Sequence, residues 1–154
     1  MPYGSTAQAL GQWIATTWDW RLFFTLTLTD MPRSETFGGR TYYGVSHTER
    51  LLQLWAEGAI ESRGGYWWAA LESHRARPTP HVHGIAGGFD EDPRRIAMWN
   101  EWRSIGSGAG RAEVLPVKSA AGCAIYVAKY VNKGLGKIYT GGSLELRKGG
   151  AFAL

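Results

Sequence analysis

Two short stretches carry side chains that can do chemistry together. The first is His81-Val82-His83, which follows Glu72 and His74 across the loop of residues 75–80. Alternate side chains of a strand share a face, so His81 and His83 point one way, and Glu72 and His74 share a face on the preceding strand. If the hairpin closes directly around residues 75–80, His74 stands opposite His81 and Glu72 opposite His83, with cross-strand Cβ atoms about 4.5–5.5 Å apart. Four donors then converge on one patch. Imidazole with carboxylate suits Mn²⁺ or Zn²⁺ and, less comfortably, Mg²⁺. Three strong ligands leave positions for water or a substrate oxygen, as in a catalytic metal site. The competing reading is two ordinary surface histidines, and a one-residue slip of register would undo the cluster.

The second stretch is Tyr126-Val127-Ala128-Lys129-Tyr130-Val131-Asn132-Lys133, a Tyr-X-X-Lys spacing that occurs twice in tandem. On a helix Tyr126 and Tyr130 lie on one face, and Lys129 and Lys133 border it. A free tyrosine has a pKa of about 10 and is a poor nucleophile at neutral pH. A neighbouring ammonium favours the phenolate and balances charge on an attacked phosphate. A metal ion can polarise the phosphoryl oxygens and stabilise the departing 3′ oxygen. These are the parts of a phosphodiester transesterification that leaves a 5′-phosphotyrosine and a free 3′-hydroxyl. The competing reading is an amphipathic helix with half-buried tyrosines and solvated lysines.

The elements that must position these groups are legible in outline. Residues 5–17 carry apolar side chains at helical spacing. Residues 22–29 alternate from Phe24 onward and predict a strand with one apolar and one threonine-rich face. Residues 30–44 read as a loop. Ser46 and Glu49 form a capping-box pattern that opens a helix running to about residue 62. Strands are expected at 66–74 and 81–86, a helix opened by Pro93, a glycine-rich break at 106–110, a strand at 112–118, and the tyrosine helix at 120–133. The tail holds a further short strand near 137–140. This order predicts an α+β fold, an antiparallel sheet with helices mainly on one face.

The 154 residues fit one domain spanning 1–154, either a minimal enzyme or the nuclease domain of a longer protein. With 44% hydrophobic residues the chain can bury a core, and a +4 balance with 13% aromatics is a mild nucleic-acid signal. Cys123 is the only cysteine, so no internal disulfide forms, and its small-residue surroundings predict a packing role. No apolar run approaches the roughly 20 residues of a membrane span, and the N-terminus does not read as a secretory signal. The expectation is a soluble, intracellular protein. Arg75 and Arg77, in the loop beside the histidines, are candidates to grip phosphates, a solvated loop being the alternative. Arg33, Arg40 and Arg50 are weaker candidates. Trp67, Trp68, Trp99 and Trp102 are expected in the core rather than as base-stacking platforms. Gly106-Ser107-Gly108-Ala109-Gly110 lacks the lysine of a phosphate-binding loop.

Taken in order, Phe23-Phe24-Thr25-Leu26-Thr27-Leu28, His81-Val82-His83 and the doubled Tyr-X-X-Lys resemble the three motifs of the HUH endonucleases. The resemblance is to the two-tyrosine rolling-circle replication initiators of small single-stranded DNA phages and plasmids, and it spans about residues 23–133. It implies a central antiparallel sheet of about five strands with flanking helices, histidines on central strands and the tyrosine helix alongside. It implies a divalent ion, Mn²⁺ or Mg²⁺ with Zn²⁺ as the alternative, held by His81, His83 and Glu72, with His74 a second candidate for the third place. Tyr126 or Tyr130 would be the nucleophile, with a slight preference for Tyr126, and Lys129 and Lys133 would assist. The implied partners are single-stranded origin DNA and a host replication helicase or polymerase, in the cytoplasm of a prokaryotic host. A transposase or relaxase on the same site is the nearest alternative. A non-catalytic single-stranded DNA-binding module and a hydrolytic metalloenzyme are the others.

Overall fold

The alternation that begins at Phe24 is the start of the fold. In the computed structural model, which describes residues 4–29, 35–37, 40–72, 80–132 and 137–142, strand β1 (Trp20–Leu28) buries Leu22, Phe24, Leu26 and Leu28 on one face. Phe23, Thr25 and Thr27, half-buried, turn to the other. Strands β4 (Tyr66–Glu72), β5 (His81–Gly87), β6 (Ala109–Pro116) and β7 (Ile138–Gly142) join β1 in a five-stranded sheet of order β6-β1-β5-β4-β7. Every neighbouring pair is antiparallel. The expected α+β fold is therefore the observed one, with β5 in the middle. Strands β2 (Glu35–Phe37) and β3 (Arg40–Tyr42) pair separately, inside the stretch expected to be a loop.

The helices do not gather on one face. The helices α2 (Val45–Ala59) and α3 (Arg95–Arg103) cover one side, where Leu51, Leu52, Trp55, Met98 and Trp102 pack on Phe24, Leu26, Trp67 and Val82. The other side is covered by α1 (Gly4–Thr17) and α4 (Ala120–Asn132), where Ile14, Trp18, Cys123, Ala124 and Val127 pack on Trp68, Ala70 and Ile85. Two cores result, one on each side. β4 shows why: all seven of its residues are buried, which requires cover on both faces. Trp67, Trp68 and Trp102 are fully buried, while Trp99 is half-buried against the first core.

The capping box is also corrected. Helix α2 starts at Val45 with Gly44 as N-cap and no side-chain cap, and Ser46 lies inside the first turn. Thr48 lies one turn in, its amide and its hydroxyl both donating to the Gly44 carbonyl at 3.1 and 2.8 Å. The helix gives way after Ala59 to a 3₁₀ turn at Glu61–Arg63. Helix α3 starts two residues after Pro93, with Arg94 as its N-cap.

The position of α4 depends on a close approach to α1. A Cβ built on Gly11 would collide with the Ala124 backbone carbonyl and press on the Ala128 side chain. On its sheet side α4 buries Val127 completely, and a side chain of that size contributes about 1.5–3 kcal/mol. Gly11→Val forces α1 and α4 apart. Despite valine's better helix propensity, it is expected to lower unfolding stability by about 1–3 kcal/mol, measured by urea denaturation.

Candidate active site

The site lies on the α1/α4 side of the sheet, because β5 turns its odd-numbered residues that way. His81, His83 and Ile85 face α4, while Val82, Gly84 and Ala86 face the other core. Gly84 is required by the opposite side: a Cβ there would run into the Phe24 ring. A small residue in the core thus lets its neighbour His83 sit flat on the middle strand.

The ladder between β4 and β5 pairs Glu72 with His81 and Ala70 with His83. The expected register, with Glu72 opposite His83, is displaced by two residues. A shift of two preserves the face, so Glu72 still reaches the histidines, now diagonally. Its Oε1 lies 4.0 Å from His83 Nε2, and both side chains are largely sheltered from solvent. The His81 and His83 rings stand 6.5 Å apart between centroids. On the other flank Thr25, paired with His83 in the β1–β5 ladder, brings its Oγ1 to 3.4 Å from His83 Nδ1. Thr25 was not singled out from sequence, although the threonine-rich face of this strand was its signal. His74, Arg75, Arg77 and Lys133 lie outside the described residues.

Helix α4 lowers both tyrosines onto this patch. The Tyr130 ring stacks on His83 at 4.6 Å with an interplanar angle of 17°. The Tyr126 ring meets Tyr130 edge-on at 5.0 Å and packs against Phe23 at 4.7 Å. The Tyr126 hydroxyl points at the sheet backbone, donating to the Phe24 carbonyl in a long contact of 3.5 Å. Lys129 is exposed, and its Nζ lies 5.1 Å from the centroid of the Tyr130 ring, a cation–π position rather than a contact with the phenolic oxygen.

No family model, curated protein or solved structure matches the chain. The site therefore rests on its own geometry. Among the described residues, no three His, Cys, Asp or Glu side chains converge, as placed, on a point that a metal ion would fill. The donor chemistry nonetheless fits a divalent cation: Glu72 and His83 already face one another, and His81 is the next side chain on the same face, opposite Glu72.

The electrostatics run against a free phenolate. Burial, and then the Glu72 carboxylate, push Tyr130 above the ordinary tyrosine value. Burial pushes Tyr126 up further, with Tyr130, Cys123 and Glu72 adding to it and the Gly84 backbone opposing. The thiol of Cys123, fully buried under α4, is raised by burial from 9.0 to about 12. Of the two expected lysines only Lys129 lies among the described residues, in solvent over a ring face, while burial raises both phenols and Glu72 adds to it. A positive charge bound at Glu72 would reverse that influence.

Two outcomes follow from these shifts. Removing the carboxylate in Glu72→Gln is expected to lower the pH at which Tyr130 ionises, read from phenolate absorbance. For all three groups the folded pKa lies above the unfolded one, so the unfolded chain releases protons first as pH rises. Their contribution is complete below about pH 9 and is lost from there through about pH 12 for Cys123, and above about pH 10 for the tyrosines. Urea midpoints should hold between pH 7 and 8.5 and fall steeply by pH 11, less steeply in Cys123→Ala.

Proposed function

We propose that this chain is a nickase of the HUH type, cutting single-stranded DNA and remaining joined to the 5′ phosphate through a tyrosine. The observation that carries this reading is the stack of Tyr130 on His83, with Glu72 on the imidazole's far nitrogen and Tyr126 one helical turn away. A metalloenzyme that uses water as nucleophile has no need of two phenols against its histidines. The five-stranded antiparallel sheet with the histidines on its middle strand supports the same reading. Within it, rolling-circle initiation at a phage or plasmid origin is the leading role, and transposition or relaxation are the neighbouring ones. Single-stranded origin DNA is the substrate, and a host helicase or polymerase would extend the product.

In this mechanism Glu72, His81 and His83 would hold a divalent cation, Mn²⁺ or Mg²⁺ with Zn²⁺ as the alternative. Bound there, the ion would supply Lewis-acid polarisation of the scissile phosphate and charge balance for the leaving oxygen. The tyrosine oxygen bonds to phosphorus, the bond from phosphorus to the 3′ oxygen breaks, and the phenolic proton is passed on so that the product carries a 3′-hydroxyl. Tyr130 is the better-placed first nucleophile. Its ring already lies on His83, whereas the Tyr126 hydroxyl is turned down onto the Phe24 carbonyl. The sequence alone leans slightly toward Tyr126, and the placement of the Tyr130 ring favours Tyr130. Tyr126, four residues away on the same face, is positioned to accept a strand in a second transfer.

Incubation with labelled single-stranded origin DNA and Mn²⁺ should give a covalent adduct on a denaturing gel. Tyr130→Phe is expected to reduce the initial rate at least tenfold, Tyr126→Phe less, and the double variant to abolish the adduct. His81→Ala with His83→Ala should abolish it too, and weaken Mn²⁺ binding in calorimetry at least tenfold. An adduct that persists in the double phenylalanine variant rejects the tyrosine assignment, and hydrolysis without an adduct supports a water-dependent metalloenzyme.

A further inference from the structure

On the far side of edge strand β6 from the tyrosines lies a groove of about 420 Å³, lined by Arg94, Arg95, Ile96, Trp99, Ala112 and Val114. We propose that this groove binds single-stranded nucleic acid, holding the part of the strand that leaves the site over the β6 edge. The assignment of the strand as substrate rests on the nickase reading above.

Three observations carry it. The first is an electrostatic misfit. Helix α3 opens with Arg94 as N-cap and Arg95 at its first position, with no side-chain cap and no acidic residue in its first turn. A helix N-terminus favours negative charge, so two exposed guanidiniums there work against the helix. The nearby carboxylate of Asp92 faces Arg21 at 3.5 Å, and Glu101 faces Arg63 at 2.9 Å. Arg95 Nη1 donates to the Val114 carbonyl at 3.5 Å, and Asp90, Glu91 and Asp92 lie on the other side of Arg94, but among the described residues neither arginine forms an ion pair, so a phosphate on the groove side would relieve the misfit. Such departures from local rules mark functional positions more often than errors of folding.

The second observation is the aromatic wall. Trp99 is half-buried in the groove, Ile96 beside it is 47% exposed, and the Arg103 guanidinium lies 5.5 Å over the Trp99 ring. Cations beside an aromatic and an apolar floor suit a phosphodiester chain that carries planar bases. An acidic peptide would use the arginines but leave the wall idle. The third is continuity. Ala112 and Val114 face the groove, and the alternation of β6 sends Arg111, Glu113 and Leu115 to the side of the sheet that carries Thr25 and His83. Leu115 is 47% exposed and Arg111 is exposed, so a strand leaving His83 crosses β1 at Thr25 and then edge strand β6 to reach the groove.

The test uses the full chain with both tyrosines changed to phenylalanine, so that DNA stays intact. Binding of fluorescein-labelled oligothymidylates of roughly 8 and 20 nucleotides, below and above the span of a single site, is followed by anisotropy across salt concentrations. Arg94→Ala with Arg95→Ala should weaken the long oligonucleotide at least tenfold and leave the short one within about twofold. The salt slope for the long one should fall by about 1.4, two phosphate contacts at roughly 0.7 each. Trp99→Ala should weaken the long one at least about fivefold and Trp99→Phe restore most of it. Should Trp99→Ala fail to fold, the arginine pair and Trp99→Phe still decide. Unchanged affinity for the long oligonucleotide, or equal losses for both lengths, overturns the groove. So does a duplex bound as tightly as the single strand, or a polyglutamate peptide whose binding alone is lost in these variants. A chain that forms no tyrosine adduct yet shows the length-dependent loss keeps the groove and rejects the nickase; the converse result rejects only the groove.

Discussion

β5 is the middle strand of the sheet, and each of its side chains must satisfy one of two cores. Its even-numbered residues answer to α2 and α3, where Phe24 lies so close that only glycine fits at position 84. Its odd-numbered residues answer to α1 and α4, and two of them are histidines. The height of His83 above the sheet, its reach to Glu72 and Thr25, and its stack with Tyr130 all follow from this division. A largely sheltered imidazole on a middle strand is held by neighbours on both sides, as the proposed catalysis would require.

Helix α4 completes the arrangement from the opposite direction. It is short, and its contact with α1 is made of small residues, so the two helices approach closely and the tyrosines are brought down onto the sheet. Spacing along a helix places Lys129 near Tyr130, but that side chain reaches a ring face from solvent, while burial, with Glu72 adding to it, holds the phenol protonated. An active phenol in this site needs a counter-charge at the carboxylate, which links the two halves of the site energetically as well as spatially.

Much of this was legible in the sequence because it depends on local periodicity. The alternation of β1 from Phe24, the shared face of His81 and His83, and the shared face of Tyr126 and Tyr130 depend only on strand and helix geometry, and the structure has all three. What failed depends on partners. The register of β4 against β5 shifted by two, and a shift of two leaves every side chain on its face, so alternation alone could not distinguish the two pairings. Placing the helices mainly on one face overlooked a signal already present. Residues 66–71, Tyr-Trp-Trp-Ala-Ala-Leu, do not alternate with polar residues, and such a run needs cover above and below. The β2–β3 pair was overlooked because three-residue strands carry almost no periodicity, although Gly38-Gly39 between them is a hairpin signal. The Ser46 cap failed because the helix began two residues earlier, with Gly44 as N-cap, which propensity alone does not fix.

The lone thiol turns this architecture into a built-in stopwatch. Cys123 sits on the buried face of the tyrosine helix, against the sheet and α1, and burial keeps it protonated well into alkaline solution. An alkylating reagent can reach it only while that helix lifts from the sheet, so the labelling rate under native conditions reads the free energy of that opening separately from global unfolding. No engineered probe is needed, and no second cysteine competes for the reagent.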